Sequence, residues 1–227
     1  MKGNALVIGN SDGIGLALTR KLLGSGWTVT GISRSPTPIE DDACRHVVAD
    51  AGDPGFSHVL RSLLDQSEPL DLCVYCAGIG EPLDLSDMSG EPAIFEVDLI
   101  GMVRTAAEVI PGMVRRGSGH LIGLSSLADE MISAEAPSYH AAKAGFSNYL
   151  EGLALAVRGS GVAVTNVRFG FVDTKMAKGD RRPMMMSVDR AVRHLMGCIE
   201  RRPARHTAPR AMIPLVKLRA CMLRMSL

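Results

Sequence analysis

The residues best able to do chemistry in this 227-residue chain are a tyrosine and a lysine four positions apart. Tyr139-His140-Ala141-Ala142-Lys143 opens a helical pattern, and helical spacing puts Tyr139 and Lys143 on one face, one turn from each other. A lone phenol, with a pKa of about 10, exchanges its proton slowly at neutral pH. A neighbouring ammonium favours the phenolate, by roughly 4 kcal/mol at 4 Å and an effective dielectric of 20. Such a pair is a general acid–base device. Ser126 stands upstream, after Ile122-Gly123-Leu124. A second constellation, Gly9-Asn10-Ser11-Asp12-Gly13-Ile14-Gly15, runs directly into a helical pattern over 16–23. Glycines there permit a tight turn, close backbone approach to a pyrophosphate and close helix–strand packing. The helix N-terminus supplies N–H groups and partial positive charge for phosphates. Cys73-Val74-Tyr75-Cys76 has redox-motif spacing. It ends an apolar run that reads as a buried strand, not the helix N-terminus that would activate a thiol. No second Cys/His pair lies at zinc-ligand spacing, so the expectation is no metal.

The elements that must position these groups alternate along the chain. Short apolar runs at 5–8, 28–33, 46–49, 70–76, 120–124 and 163–167 read as strands. Between them come helical patterns such as Phe146, Leu150, Leu153 and Val157. Breaker clusters fall at the joints, as in Ser33-Arg34-Ser35-Pro36 and Arg116-Gly117-Ser118-Gly119. Alternating strands and helices imply βαβ units, right-handed crossovers and a doubly wound parallel sheet. The expectation is one α/β domain over 1–227, without repeats or linkers. Apolar residues at 46% and charged residues at 22% are ordinary globular values and exclude a disordered chain. Twenty-five Lys and Arg against 24 Asp and Glu leave a charge of +1, which argues against nucleic acid as the partner. Five scattered cysteines do not form a secreted disulfide framework. The N-terminus lacks the apolar region and cleavage site of a secretory signal, and no apolar run of about 18 residues occurs. These features suggest a cytoplasmic protein.

Taken in order, the glycine loop, Ser126 and the Tyr139–Lys143 pair resemble the short-chain dehydrogenase/reductase family, over about residues 4–200. The resemblance implies a single-domain Rossmann fold of strand order 3-2-1-4-5-6, with a seventh strand doubtful because the chain is short there. It implies NAD(P)-dependent interconversion of a carbonyl and a secondary alcohol. Tyr139 would be the acid/base, Lys143 would tune it and hold the nicotinamide ribose, and Ser126 would orient the substrate oxygen. The cofactor would lie on Gly9, Ser11, Gly13, Ile14, Gly15, Ser33, Arg34, Asp50, Ala77, Gly78, Tyr139, Lys143, Gly170, Val172 and Thr174. At the end of the second strand an acid reads a ribose 2′-hydroxyl, whereas an arginine accommodates a 2′-phosphate. Ser33-Arg34 therefore favours NADP, with NAD as the alternative, although Asp12 puts a negative charge in the loop. Asp50 matches the family's adenine-side aspartate and can equally cap a loop. The chain departs from the family pattern at Ile8 (usually Thr), at Tyr75-Cys76 (usually Asn-Asn), at Phe169 (usually Pro) and at Asp98 (usually Asn). Near Lys143, the Asp98 carboxylate would either pair with the ammonium or be driven to protonate. These departures leave a second reading, a weakly active or inactive NADP-binding sensor or scaffold.

Residues 172–190 correspond to a substrate lid. There Met184, Met185 and Met186 would line an apolar pocket or pack beneath a helix capped by Ser187, and Lys178, Arg181 and Arg182 would face solvent or an acidic substrate. The tail, about 208–227, mixes apolar residues with Lys217, Arg219 and Arg224. It is expected to pack on the domain or a partner; a basic amphipathic segment lying on a membrane is the less favoured reading. A homodimer through helices at 91–116 and 139–158 is expected.

Overall fold

The computed structural model describes residues 2–177 and 184–225. Seven strands form one wholly parallel sheet in the order β3-β2-β1-β4-β5-β6-β7. They are β1 (Asn4–Ile8), β2 (Thr28–Ser33), β3 (Cys44–Val48), β4 (Leu72–Tyr75), β5 (Gly119–Ser126), β6 (Val162–Phe169) and β7 (Arg205–Ala208). The helices are α1 (Gly13–Leu23), α2 (Phe56–Asp65), α3 (Glu91–Phe95), α4 (Gly101–Arg116), α5 (Pro137–Ala156), α6 (Val188–Arg201) and α7 (Met212–Met225). The central strands are buried on both faces, as their unbroken apolar runs require: every residue of β4 and all but the last of β5 are buried. One core layer joins Leu6, Ile8 and Tyr75 of the sheet to Leu60 of α2, Met102 and Met113 of α4 and Phe146 of α5. The other joins Val7, Val74 and Ile122 to Leu18 and Leu22 of α1 and Leu195 of α6.

The first six strands follow the expected order. The seventh, doubted from the sequence, is present. Arg205-His206-Thr207-Ala208 is short, with an exposed arginine and a half-buried histidine, so it carries no apolar run to betray it. It forms because the outer edge of β6 needs partners: the Asn166 and Gly170 N–H groups donate to the carbonyls of Ala204 and Ala208. The single helix expected over 91–116 is also corrected. A π-helical turn at Glu96–Ile100 separates α3 from α4, and the Tyr75 hydroxyl donates to the Val97 carbonyl within it at 2.6 Å. Ser187 caps α6 as anticipated, its hydroxyl accepting from the Arg190 N–H. Of the three methionines before it, only Met186 is buried, while Met184 is exposed. Residues 172–177 and 184–190 are tied at their base by a bridge between Val172 and Met186; Lys178, Arg181 and Arg182 lie outside the described residues. Helix α7 packs Met212 and Val216 on Leu127.

Candidate active site

Parallel strands bring all their carboxyl ends to one edge of the sheet, and ligands of such sheets lie beyond that edge. Gly9 follows β1, Ser33 ends β2, Asp50 lies just beyond β3, Ala77 and Gly78 lie just beyond β4, Ser126 ends β5 and Gly170 follows β6. The topology thus gathers residues scattered over most of the chain along a single line.

At the left of that line, the glycine loop is folded tightly onto itself. A Cβ on Gly15 would stand 2.0 Å from the Gly9 carbonyl oxygen, so only glycine permits the crossing of loop and helix. Asp12 caps α1 by accepting from the Gly13 N–H at 2.7 Å. It also pairs with Lys175 at 2.7 Å; the Lys175 ammonium and the Gly13 N–H hold its carboxyl below the usual range. The negative charge that seemed to oppose a phosphate is therefore matched by a lysine from the segment after β6. Thr174, in that segment, lies over Gly13, 3.5 Å from where a Cβ would stand. At the end of β2 the two residues named for the ribose part company. Ser33 is buried and donates to the Ser35 carbonyl at 2.9 Å. Arg34 is exposed, with no hydrogen bond or ion pair among the described residues. Asn10, which sequence reasoning passed over, is wholly buried beneath this corner. It occupies the space left by Gly31, where a Cβ would stand 1.8 Å from its amide nitrogen, and that nitrogen has no partner. The Asp50 carboxylate caps its own loop, accepting from the Gly52 N–H at 2.9 Å.

At the right of the line the site is built from buried charge. Pro137 opens α5, where its missing N–H is not needed, and the first turns of the helix carry Tyr139 and Lys143. The Lys143 Nζ stands 5.6 Å from the centre of the Tyr139 ring, 3.4 Å from the Leu124 carbonyl oxygen and 3.1 Å from Asp98 Oδ2. Asp98 is fully buried on the π-turn, and its other oxygen accepts from the Ile79 N–H at 2.7 Å. Burial pushes the Asp98 carboxyl above the ordinary carboxylate range against the pull of the Lys143 ammonium. Burial by itself would lower the Lys143 ammonium, but the charges of Asp98 and Tyr139 outweigh it and raise its pKa. The Lys143 ammonium and the Asp98 carboxyl thus form a buried pair in which each partner favours the charged form of the other against the cost of burial. Tyr75, in place of the family's amide, braces the same π-turn through Val97. The Tyr139 ring covers Gly80, 3.1 Å from where a Cβ would stand.

Ser126 Oγ accepts from the Ala128 N–H at 3.1 Å, which fixes the start of the 3₁₀ turn Leu127–Glu130. That turn is anchored by a network that no local pattern announced. Arg168, on β6 and 3% exposed, donates two bonds of 2.6 Å to Asp129 and one of 2.7 Å to Glu130. The Ser147 hydroxyl, on α5, donates to Asp129 as well, and it also meets Ser125 at 2.7 Å. β5, β6 and α5 are thereby tied together directly behind Ser126. An arginine inside a strand pattern gives no sequence signal of this kind.

The residues present fit a dinucleotide. The glycine loop opens a helix N-terminus, and Gly78 leaves a cradle that a Cβ would fill, 3.3 Å from Asp98 Oδ1, 3.4 Å from Lys143 Nζ and 3.6 Å from the Met176 methyl. A doubly wound sheet with that loop at one end and a Tyr–Lys pair at the other defines a nucleotide-dependent oxidoreductase. The family model for short chain dehydrogenases matches residues 3–184, and the chain belongs to that family: it is an NAD(P)-dependent dehydrogenase. It is 33% identical over 209 residues, 85% of this chain and 81% of the relative, to an oxidoreductase of Myxococcus xanthus. It is 32% identical over 77% of this chain and 75% of the relative to a 3-oxoacyl-acyl-carrier-protein reductase of Vibrio cholerae. Among solved structures, a short-chain dehydrogenase of Burkholderia cenocepacia in complex with NADP shares the fold at TM-score 0.85 and 21% identity, over 98% of this chain and 94% of that one. One from Sphingobium yanoikuyae in complex with NADPH does so at 0.83 and 21%, over 99% and 95%.

Proposed function

We propose that the chain is an NADPH-dependent reductase interconverting a small-molecule carbonyl compound and its secondary alcohol. When bound, the nicotinamide supplies or accepts the hydride at the carbon of that group. Tyr139 donates the proton to the carbonyl oxygen in reduction and removes it in oxidation. Ser126 donates a hydrogen bond to the same oxygen and sets its position. The buried Lys143 ammonium stabilises the phenolate that Tyr139 becomes and holds the nicotinamide ribose, and Asp98 keeps that ammonium charged. The observation that carries this reading is the stack of Asp98, Lys143 and Tyr139, with Lys143 Nζ 3.1 Å from one and 5.6 Å from the ring centre of the other. A cofactor-binding scaffold without turnover could use Lys143 on the ribose but has no need of an acid–base tyrosine above it. At the other end of the cleft, Gly9, Ser11, Gly13, Ile14 and Gly15 hold the pyrophosphate. Arg34 meets the 2′-phosphate, Ser33 shapes the corner from beneath, and Asp50 borders the adenine. Ala77, Gly78, Gly170, Val172 and Thr174 border the nicotinamide half, and the described residues 172–177 and 184–190 serve the substrate lid. The relatives named for 3-oxoacyl-acyl-carrier-protein and, in Allochromatium vinosum, acetoacetyl-CoA make 3-oxoacyl thioesters the first substrates to try. The expected assembly is a homodimer through α4 and α5. Five free cysteines fit a cytoplasmic protein.

The test is titration with NADPH and with NADH, followed by nicotinamide fluorescence, then turnover with carbonyl compounds. NADPH should bind more tightly than NADH. Tyr139→Phe should lower turnover by about 10²–10⁴-fold, the usual contribution of a general acid, with NADPH binding retained. Turnover that survives in Tyr139→Phe would remove the tyrosine from its role.

A further inference from the structure

Helix α7 has two apolar faces, and the domain uses one. Met212, Val216 and Ala220 are buried against the body of the protein. On the other side Leu215, Leu218, Met222 and Met225 are exposed at 59%, 61%, 62% and 82%. Their spacing of three, four and three residues makes a continuous stripe along a 14-residue helix. Arg219 borders the stripe on one side, and Lys217 and Arg224 border it on the other. With Arg210 just ahead of the helix, residues 209–225 carry four cations and no acidic residue. Glu130, the acid that lines the small cavity of about 330 Å³ beside Lys217 and Arg224, is already held by Arg168 at 2.7 Å.

From this face we infer that α7 docks the protein on an anionic lipid surface, lying flat with the catalytic domain above it. An apolar stripe with Arg219 on one flank and Lys217 and Arg224 on the other is the geometry of an interfacial helix. Its apolar residues enter the acyl boundary, and the long cationic side chains reach back to the headgroups. Charge complementarity selects the occupant. A second copy meeting this face across a two-fold axis would bring Lys217, Arg219 and Arg224 against their own copies. One stripe of four side chains is also less than the roughly 800 Å² per partner that stable protein interfaces bury. No helix among the described residues is long and apolar enough to cross a membrane, so the mode is docking and not insertion.

The test is co-sedimentation of the full chain with vesicles of phosphatidylcholine containing phosphatidylglycerol, against phosphatidylcholine alone. Light scattering on the lipid-free protein accompanies it. Binding is expected to the anionic vesicles and to be weak to the neutral ones. Lys217→Glu, Arg219→Glu and Arg224→Glu together should weaken it by at least roughly five-fold per residue, the value of one cation near an anionic surface. Leu218→Glu with Met222→Glu should abolish it, while NADPH binding stays that of the parent chain and shows the domain intact. Equal binding to both vesicles, binding that survives both variants, or no binding would overturn the inference. So would an oligomer that the Leu218→Glu, Met222→Glu pair dissociates in the absence of lipid.

Discussion

The two ends of the cleft use the same kinds of side chain under opposite conditions. At the end that carries Tyr139, Lys143–Asp98 and Arg168–Asp129 are ion pairs whose members are at most 5% exposed. At the end that carries the glycine loop, the Asp12–Lys175 pair is exposed at 51% and 86%, and Arg34 stands in solvent. A buried pair has lost its hydration, so removing one member strands the other at high cost; an exposed pair exchanges one set of partners for water. One end therefore holds its charges in fixed, desolvated pairs, the preorganisation that the proposed proton transfer requires. The other is free to reorganise around a charged ligand that brings its own partners.

The sharpest way to break this contrast is Arg168→Met, which leaves Asp129 buried beside Ser147. The cost should be about 3–5 kcal/mol of stability, read by denaturant unfolding, with turnover falling as the turn behind Ser126 loosens. A loss below 1 kcal/mol would mean that the network is not the anchor described. Arg34→Ala should leave stability unchanged and weaken NADPH by about ten- to a hundredfold, the worth of a charge-assisted hydrogen bond. NADH binding should hardly move, and an equal loss for both cofactors would separate Arg34 from the 2′-phosphate. Asp98→Asn acts through Lys143. Burial opposes the ammonium, and the Asp98 charge, with that of Tyr139, carries its pKa above the ordinary value. Neutralising Asp98 should let Lys143 lose its proton at lower pH, so the alkaline limb of the pH–rate profile should move to lower pH. An unchanged profile would end the role given to Asp98. The smallest effect belongs to Lys175→Ala, expected to cost less than about 1 kcal/mol of melting stability because the pair is solvated.

Much of the site was legible because its groups lie close together along the chain. The Gly9–Gly15 loop, the Tyr139–Lys143 pair and the cap at Ser187 each depend on spacings within a turn or two, which backbone geometry converts directly into relative position. The alternation of apolar runs with helical patterns likewise implied a parallel sheet, and a parallel sheet implied that the loops after its strands would share one edge. Arg34 could be placed at that edge by its position after β2.

What remained depended on contacts between residues far apart in the chain. Whether Asp98 would pair with Lys143 or protonate could not be read from residue types. Its placement beside the lysine depends on the π-turn that brings its carboxyl to 3.1 Å and on the Ile79 N–H held by its other oxygen. Asn10 and Gly31 are complementary only because β1 and β2 are neighbours in the sheet. Lys175 matches Asp12 only because the chain beyond β6 returns over the glycine loop. β7 has too little apolar character to be read as a strand and is ordered by the open edge of β6. Arg168, just past the run read at 163–167 and near the end of β6, is explained only by Asp129 and Glu130 in the turn that follows β5. Local spacing determined the chemical groups and the order of the sheet; burial and long-range pairing, which arise only when the chain has closed on itself, decided which of those groups meet and which lose their water.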